Sequence, residues 1–323
     1  MTTSPLLANH VSPRTRTFGL ALVCPRCRLE LPPLEAWTAE RVACRGCGAG
    51  YRIEGGIPRF VESDGYAANF SFEWLRYRTT QLDGAEGGES ERTFRQKTGL
   101  RPEDVRGKRI LDAGCGMGRF AEVVSRWGGR VVAVDLSRAV EAARANLSGR
   151  DNVLVMQADL SRLPFPEGSF DLIYSLGVLH HTPDCERAFR TLTRYLAPGG
   201  TMALWVYAQD GGRWMRCSDF YRRFTVGMSP RLLHRLCTVA VPLYYLVKLP
   251  LVGRLIWTLA PISVHPDPAW RVLDTFDWYS PRYQSKHTYP EVYRWFQSEG
   301  LERINVFDVP VALSGVKPRG ERP

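Results

Sequence analysis

The chain has 323 residues, of which 44% are hydrophobic and 24% are charged, as in ordinary globular proteins. This composition excludes a disordered or collagen-like chain, and the length predicts one core-forming domain with one or two accessory units. The net charge is +10, and the 38 arginines against five lysines indicate a GC-rich bacterial genome. An arginine alone is therefore weak evidence of function. Residues 1–18 contain no apolar run of signal-peptide length, which predicts a disordered tail and a cytoplasmic protein.

Residues 19–60 are predicted to form a small zinc ribbon, because they contain two C-x-x-C pairs sixteen residues apart. Thiolates at this spacing surround a zinc ion tetrahedrally. The reducing compartment opposes disulfides, whereas a four-thiolate iron centre fits the same spacing. We expect a closed, structural Zn²⁺ site, and ordinary thiols at the remaining cysteines, Cys115, Cys185, Cys217 and Cys237. The predicted ligands are Cys24, Cys27, Cys44 and Cys47.

Residues 61–106 are predicted to form a connector that contains a helix followed by a loop, and residues 107–323 the main domain. Short apolar runs separated by helix-length segments predict strands alternating with helices, which is typical of a parallel, doubly wound α/β sheet. A last helix is expected over 290–300, ending at a glycine. The predicted strands are 108–114, 130–136, 152–160, 170–178, 201–207, 302–309 and 310–316.

Three glycines lie at the turn between the first of these strands and the next helix: Gly114, Gly116 and Gly118. Glycine lets a backbone approach a ligand closely, and a helix N-terminus offers free N–H groups. A dinucleotide-binding fingerprint needs G-x-G-x-x-G, but position 119 is Arg119, which disfavours a nicotinamide cofactor. A tight strand-to-helix turn without a ligand is the simpler alternative.

Acidic residues near the carboxyl ends of three successive strands favour a ligand site over that alternative. They are Asp112, Asp135 and Asp159. Open α/β sheets bind ligands at this edge. A carboxylate after the second strand can accept hydrogen bonds from both hydroxyls of a ribose, and one after the third can contact an adenine amino group. The pattern predicts a nucleoside site.

At these residues the chain resembles the class I S-adenosylmethionine-dependent methyltransferases. The similar segments are 111–120, 131–137, 157–181 and 196–207. The resemblance implies a Rossmann-like, seven-stranded sheet with one antiparallel strand. It also implies that the methionine end of S-adenosylmethionine lies at the glycine loop, the ribose at Asp135 and the adenine beside Asp159. The implied cofactor contacts are Asp112, Gly114, Gly116, Gly118, Asp135, Leu136, Ala158, Asp159, Leu160 and Leu176.

Two adjacent histidines, His180 and His181, follow the fourth strand, close to where the acceptor enters in similar enzymes. A neutral imidazole is a suitable catalytic base. An equally good interpretation is that one of the two histidines only packs as a structural residue, because a nitrogen acceptor can react without an enzyme base.

Residues 212–285 interrupt the α/β alternation with a basic, apolar insertion. Its 213–262 part has eight basic residues against a single acid, Asp219, and prolines and charges break its apolar run. A membrane-spanning helix is therefore not expected. We expect a lid that packs its apolar residues over the acceptor pocket, without RNA or vesicle binding. An interfacial segment and a basic face for RNA or an acidic carrier protein remain alternatives.

The sequence as a whole predicts methyl transfer from S-adenosylmethionine to an oxygen or nitrogen of a small-molecule acceptor, in a bacterial secondary-metabolite or sugar pathway. One alternative is a ribosomal RNA base methyltransferase with an N-terminal zinc site. It is disfavoured because no Asn/Asp-Pro-Pro-Tyr-like run follows the fourth strand. The sequence is also compatible with methylation of a lipid-like or quinone acceptor at a membrane surface, and with a domain that binds the cofactor without turnover.

Overall fold

A computed structural model describes residues 18–37, 41–83, 88–209 and 213–320, without the side chains of residues 35, 213–217 and 257. The predicted tail lies outside the described residues except for Phe18. The strands are β1 (Leu22–Val23), β2 (Glu30–Leu31), β3 (Arg41–Ala43), β4 (Gly50–Glu54), β5 (Ile57–Arg59), β6 (Arg109–Ala113), β7 (Arg130–Asp135), β8 (Val153–Gln157), β9 (Phe170–Leu176), β10 (Leu196–Trp205), β11 (Glu302–Phe307) and β12 (Ala312–Val316).

Helices follow five of these strands and also build the connector and the insertion. They are α1 (Ala68–Arg76), α2 (Glu89–Thr98), α3 (Pro102–Val105), α4 (Arg119–Arg126), α5 (Ala139–Asn146), α6 (Cys185–Arg194), α7 (Arg213–Thr225), α8 (Pro230–Cys237), α9 (Ala240–Val247), α10 (Pro250–Leu259), α11 (Pro268–Tyr279) and α12 (Tyr289–Ser298). In the connector, α1 is the first helix and α2 begins at Glu89.

The seven predicted strands form the central sheet in the order β11-β12-β10-β9-β6-β7-β8. All run parallel except β12, which is antiparallel to both of its neighbours, as the resemblance implied. Successive side chains of a strand point to opposite faces. Ile110 therefore packs in the core beneath α4 and α5, and Leu111 in the core beneath α6 and α12. Helices cover both faces, so the predicted doubly wound α/β architecture is confirmed.

The ribbon, residues 19–60, is continuous with the central sheet. Its strands β3, β4 and β5 pair in antiparallel fashion, and β5 pairs with β8 through Arg59 and Gln157, which extends the sheet to ten strands. The buried Arg59 guanidinium also contacts the Glu141 carboxylate at 3.0 Å. The pairing with β5 satisfies backbone groups at the edge of β8.

Helix α11 anchors the insertion through Arg271, whose side chain is 2% exposed. Its guanidinium donates to the backbone carbonyls of His265 and Pro266, each at 2.9 Å, and lies 3.6 Å from the ring centre of Tyr244 on α9. These bonds satisfy donors that would be costly to bury unpaired. Within the described part of the chain, no helix combines the length and apolar character needed to cross a bilayer.

Candidate functional site

The glycine loop between β6 and α4 is held against the neighbouring strand by its own backbone. The N–H groups of Gly114 and Cys115 both donate to the carbonyl of Val134, at 2.8 and 2.9 Å. Gly114 has φ +92°, and a Cβ there would lie 2.3 Å from Val178. Only glycine fits this position without displacing its neighbours.

Asp135 at the end of β7 is fixed by three hydrogen bonds. The N–H of Gly116 donates to Oδ2 at 2.9 Å, and the N–H and hydroxyl of Ser137 donate to Oδ1 at 2.8 and 2.6 Å. Burial raises the pKa of Asp135, and these donors oppose that shift. The carboxylate is therefore oriented before any ligand binds, with lone pairs left to accept hydroxyl groups.

A cavity of about 650 Å³ opens at the carboxyl ends of the central strands, between the sheet and helices α1 and α11. This is the edge where open α/β sheets bind ligands. Its size lies within the range of small-molecule sites. The structure brings together seven of the residues predicted from sequence on its wall: Gly114, Gly116, Asp135, Leu136, Leu160, Leu176 and His181.

Two predicted contacts, Asp112 and Gly118, lie near the loop but do not line the cavity. Asp112 is buried behind the loop, where burial raises its pKa to about 8. It can act on a ligand only through the loop. Gly118 begins α4 and packs against α5, since a Cβ there would lie 2.8 Å from Leu147. Position 118 therefore requires a glycine because the helices pack closely there, and not because the residue contacts the cavity.

The predicted adenine contacts are also only partly on the cavity wall. Ala158 is fully buried in the core. Asp159 caps the short helix Leu160–Arg162 by accepting a 2.8 Å hydrogen bond from the N–H of Ser161. It faces a separate groove beside the ribbon, together with Arg162. The next residue, Leu160, does line the cavity.

The two histidines differ in position. His180 is fully buried, stacks on Tyr207 with ring centres 3.8 Å apart, and accepts a 3.3 Å hydrogen bond from the Tyr207 N–H at Nδ1. Burial lowers its pKa well below the ordinary value. His181 lines the cavity, and its Nδ1 lies 3.0 Å from the carbonyl of Tyr283. Since a carbonyl only accepts, Nδ1 carries the proton and Nε2 is free to accept one.

Three cations on the cavity wall were not identified from sequence: Arg119 at the start of α4, Lys97 in α2, and Lys286. Arg119 donates to the Ser90 hydroxyl at 2.9 Å. Burial, together with nearby Arg119, lowers the pKa of Lys97 to about 7. The surplus of arginines in the sequence gave no reason to select Arg119, and Lys97 lies in a helix distant in sequence from the glycine loop.

Helix α11 covers the cavity, rather than the 213–262 segment that was expected to form the lid. The lining residues from α11 are Trp270, Leu273, Asp274, Asp277 and Trp278. Within 213–262, the only described residue on the wall is Ser218. The expectation was wrong because the apolar residues of α8 and α10 that it relied on include side chains pointing to solvent, such as Leu236 and Leu255.

The four ribbon cysteines meet in one cluster, with their Sγ atoms all within 4.8 Å of one another. Two matching turns present them. In each turn, the backbone N–H of the residue four positions after the first cysteine donates to the carbonyl of that cysteine. Arg28 donates to Cys24 at 2.8 Å, and Gly48 donates to Cys44 at 2.9 Å. The residues after both turns have left-handed backbones, with φ +65° and +71°. Four convergent thiols fit a tetrahedral Zn²⁺ ion.

Residues 111–204 match the model of a family described as a methyltransferase domain. Phosphoethanolamine N-methyltransferase 1 of Zea mays is 29% identical over 50% of this chain and 32% of that protein. The 27-O-demethylrifamycin SV methyltransferase of Amycolatopsis mediterranei is 39% identical over 30% of this chain and 38% of that protein. The chain thus spans about a third of the length of these curated relatives.

Similar solved structures include a methyltransferase from Mesorhizobium loti, 22% identical with a TM-score of 0.42, covering 71% of this chain and 99% of that one. Another, from Aquifex aeolicus, is 15% identical with a TM-score of 0.41, covering 76% and 96%. The family match extends from β6 to β10 and includes the glycine loop and Asp135. Residues 111–204 of this chain are therefore similar to a methyltransferase domain.

Proposed function

We propose that the protein transfers a methyl group from S-adenosylmethionine to an oxygen or nitrogen of a small-molecule acceptor. The observation that best supports this proposal is the position of the Asp135 carboxylate. It accepts a hydrogen bond from the Gly116 N–H on the wall of a cavity of about 650 Å³. A bacterial biosynthetic pathway is supported by the arginine-rich composition and by the similarity to the rifamycin methyltransferase.

The residues on the cavity wall fit S-adenosylmethionine in charge and shape. Asp135 would accept hydrogen bonds from the ribose hydroxyls, and Leu136 and Leu160 would pack beside the adenine. The Arg119 guanidinium, at the N-terminus of α4, would pair with the methionine carboxylate. The cofactor supplies an already activated methyl group, so the protein has mainly to align an acceptor with it and exclude water.

His181 would accept the proton that the acceptor loses. Its Nδ1–H is held by the Tyr283 carbonyl, which leaves the Nε2 lone pair available. Burial lowers the pKa of His181, so the imidazole is neutral at physiological pH. His180 instead stacks on Tyr207, which supports a structural role for this histidine.

The ribbon cysteines would hold one structural Zn²⁺ ion, because all four positions of a tetrahedron are filled by thiolates and none is left for a substrate. The ion would stabilise the two cysteine turns. One of these turns carries Arg28, whose guanidinium donates to the carbonyl of Leu163 at 2.8 Å, close to the adenine side of the cavity. Metal binding would thereby support the position of Leu160.

The first prediction concerns the cofactor and the class of acceptor. Incubation with methyl-labelled S-adenosylmethionine and separation of the products should place the label in small molecules, not in RNA or protein. Asp135→Ala should abolish this label and weaken S-adenosylhomocysteine binding by about tenfold or more, since hydrogen bonds to a charged group contribute ~1.5–3 kcal/mol each. Asp171→Asn, at the opposite end of the sheet, is the control. Unchanged affinity of the Asp135 variant in calorimetry would contradict the assignment.

The second prediction concerns the dependence of kcat on pH, whose acidic limb we assign to His181. Because protonation removes the base, kcat should fall as the pH drops through the lowered pKa of His181, below about 6.5. His181→Asn should lose about 10²- to 10⁴-fold in kcat and also lose this limb. S-adenosylhomocysteine affinity should be retained, and His234→Asn, outside the cavity, should keep the wild-type profile. A limb that persists in His181→Asn would assign it to another group.

The third prediction concerns the metal. Gently purified protein should contain about one equivalent of zinc per chain, and Cys27→Ser should lose it, because a ribbon of this size cannot stay folded without its ion. Hydrogen exchange should then accelerate in residues 19–60 and remain slow in β6, β7 and β9. Cys185→Ser, a buried thiol outside the cluster, should retain the metal. Wild-type protein with less than about half an equivalent of any metal would exclude the site.

A further inference from the structure

Three carboxyl groups meet on one wall of the cavity: Glu73 from α1, and Asp274 and Asp277 from α11. The Glu73 side chain is 1% exposed, and neither of its carboxyl oxygens has a hydrogen-bond partner among the described residues. Burial, together with Asp277 and Asp274, raises the pKa of Glu73 well above its ordinary value. A buried polar group without a partner is costly, so this arrangement indicates a ligand that satisfies it.

The hydrogen-bond partners of Asp274 and Asp277 are neutral hydroxyl groups. Asp277 accepts a 2.8 Å hydrogen bond from the Tyr207 hydroxyl, and Asp274 one of 3.0 Å from the Ser263 hydroxyl. Among the described residues, no cation forms an ion pair with any of the three. The nearby Lys286 pairs with Asp219 instead.

The same wall is rich in aromatic rings, which attract cations through their faces. The aromatic residues that α1 and α11 contribute to the cavity lining are Phe70, Trp74, Trp270 and Trp278. Glu73 is next to Trp74 on α1, and Asp277 is next to Trp278 on α11. Carboxylates interleaved with aromatic rings are suited to a positively charged nitrogen and poorly suited to an anionic or wholly apolar acceptor.

We propose that the acceptor is an amine that enters the cavity as an ammonium ion, held by Glu73, Asp274 and Asp277 between the aromatic rings. This inference rests on the proposed methyl transfer and specifies its acceptor class. The cluster extends towards His181, since Asp277 accepts a hydrogen bond from the Tyr207 hydroxyl, and the Tyr207 ring centre lies 5.5 Å from that of His181. The bound nitrogen and the proposed base therefore lie at the same end of the cavity.

The reaction then balances without any further reactant. The ammonium ion gives a proton to Nε2 of His181, whose cationic form the Asp277 carboxylate favours. The nitrogen lone pair forms a bond to the methyl carbon as the carbon–sulfur bond breaks, and that electron pair stays on sulfur. The products are S-adenosylhomocysteine and a methylated ammonium ion, and the proton on His181 is released to solvent.

The test compares two probes of matched shape, 2-phenylethylammonium and neutral 2-phenylethanol, titrated into protein saturated with S-adenosylhomocysteine. The ammonium ion should bind at least about tenfold more tightly in calorimetry, because a charge-assisted contact is available only to it. Glu73→Gln should remove this preference while changing S-adenosylhomocysteine affinity by less than about twofold. Glu89→Gln, a cavity carboxylate outside the cluster, should keep the preference.

Equal binding of the two probes, or no saturable binding of the ammonium ion, would overturn the amine inference. A Glu73→Gln variant whose affinity for S-adenosylhomocysteine falls as much as its affinity for the ammonium probe would also overturn it. The cluster would then bind the ammonium group of the cofactor. Failure of wild-type protein to bind S-adenosylhomocysteine would instead refute the proposed function. The two failures are therefore distinguishable.

A second inference rests on the outer surface of the insertion. Thirteen of the 18 large hydrophobic side chains exposed in the described chain lie within 213–262. On α10, Leu251, Leu255 and Leu259 recur at helical spacing on one face and are 83%, 59% and 53% exposed. On the adjoining α7, Phe220 and Phe224 pack together, with ring centres 5.4 Å apart, and both are exposed.

Exposed basic residues accompany this apolar surface: Arg231, Arg235, Lys248 and Arg254. Apolar patches of this extent are rare on monomers, and basic amphipathic helices bind the interface of anionic membranes. We infer that the outer faces of α7, α8, α9 and α10 dock on an anionic lipid surface. This reverses our expectation from sequence, which placed the same apolar residues over the cavity.

The test is co-sedimentation with vesicles of phosphatidylglycerol and phosphatidylcholine, compared with phosphatidylcholine alone. The protein should bind the anionic vesicles. Leu251→Asp with Leu255→Asp should release it, as should Arg231→Glu with Arg235→Glu, because apolar insertion and charge attraction both contribute. Leu29→Asp with Val306→Asp, which changes exposed apolar residues elsewhere, is the matched control and should still bind.

Wild-type protein that stays in the supernatant would overturn the membrane inference. A dimer in light scattering that Leu251→Asp with Leu255→Asp dissociates would show that a second copy covers the surface instead. RNA binding that falls steeply with salt and is lost only on the arginine substitutions would assign the surface to RNA.

Discussion

The site depends on one constraint, the hydrogen bond from the Gly116 N–H to the Asp135 carboxylate. It joins the turn after β6 to the end of β7, so that the glycine loop and the acid that faces it move as one unit. The loop can follow this path only because Gly114 has a left-handed backbone and no side chain to meet Val178. Asp135 is thereby oriented without the entropy cost of ordering it when a ligand binds.

The helices outside the core methyltransferase motif complete the cavity. The sheet supplies one wall, with backbone N–H groups and a fixed carboxylate, whereas α1 and α11 supply the opposite wall with carboxyl groups and aromatic rings. The two walls differ in chemistry, and in the proposed reaction they would bind different partners. If the sheet binds the cofactor and the helices bind the acceptor, the same type of sheet could be combined with different helices to accept different acceptors.

The insertion divides into two parts with different surroundings. Helix α11 faces inward and is secured by Arg271, which satisfies the carbonyls of His265 and Pro266. Helices α8, α9 and α10 keep a smaller buried face, centred on Leu233 and Cys237, and expose the rest of their apolar side chains. If these helices rest on lipid, α11 would connect the membrane surface to the acceptor wall.

Apart from the single antiparallel strand, which only the resemblance implied, the sequence by itself predicted the strands of the central sheet, the cysteine cluster and the Asp135–glycine loop pair. These features depend on local periodicity, on cysteine spacing and on residues at strand ends, all of which the chain order displays. Only the tertiary structure decided that His181 and not His180 faces the cavity, that β5 extends the sheet, and that Glu73 meets Asp274 and Asp277. The last contact joins residues about two hundred positions apart. Such contacts follow from helix packing, which no local pattern records.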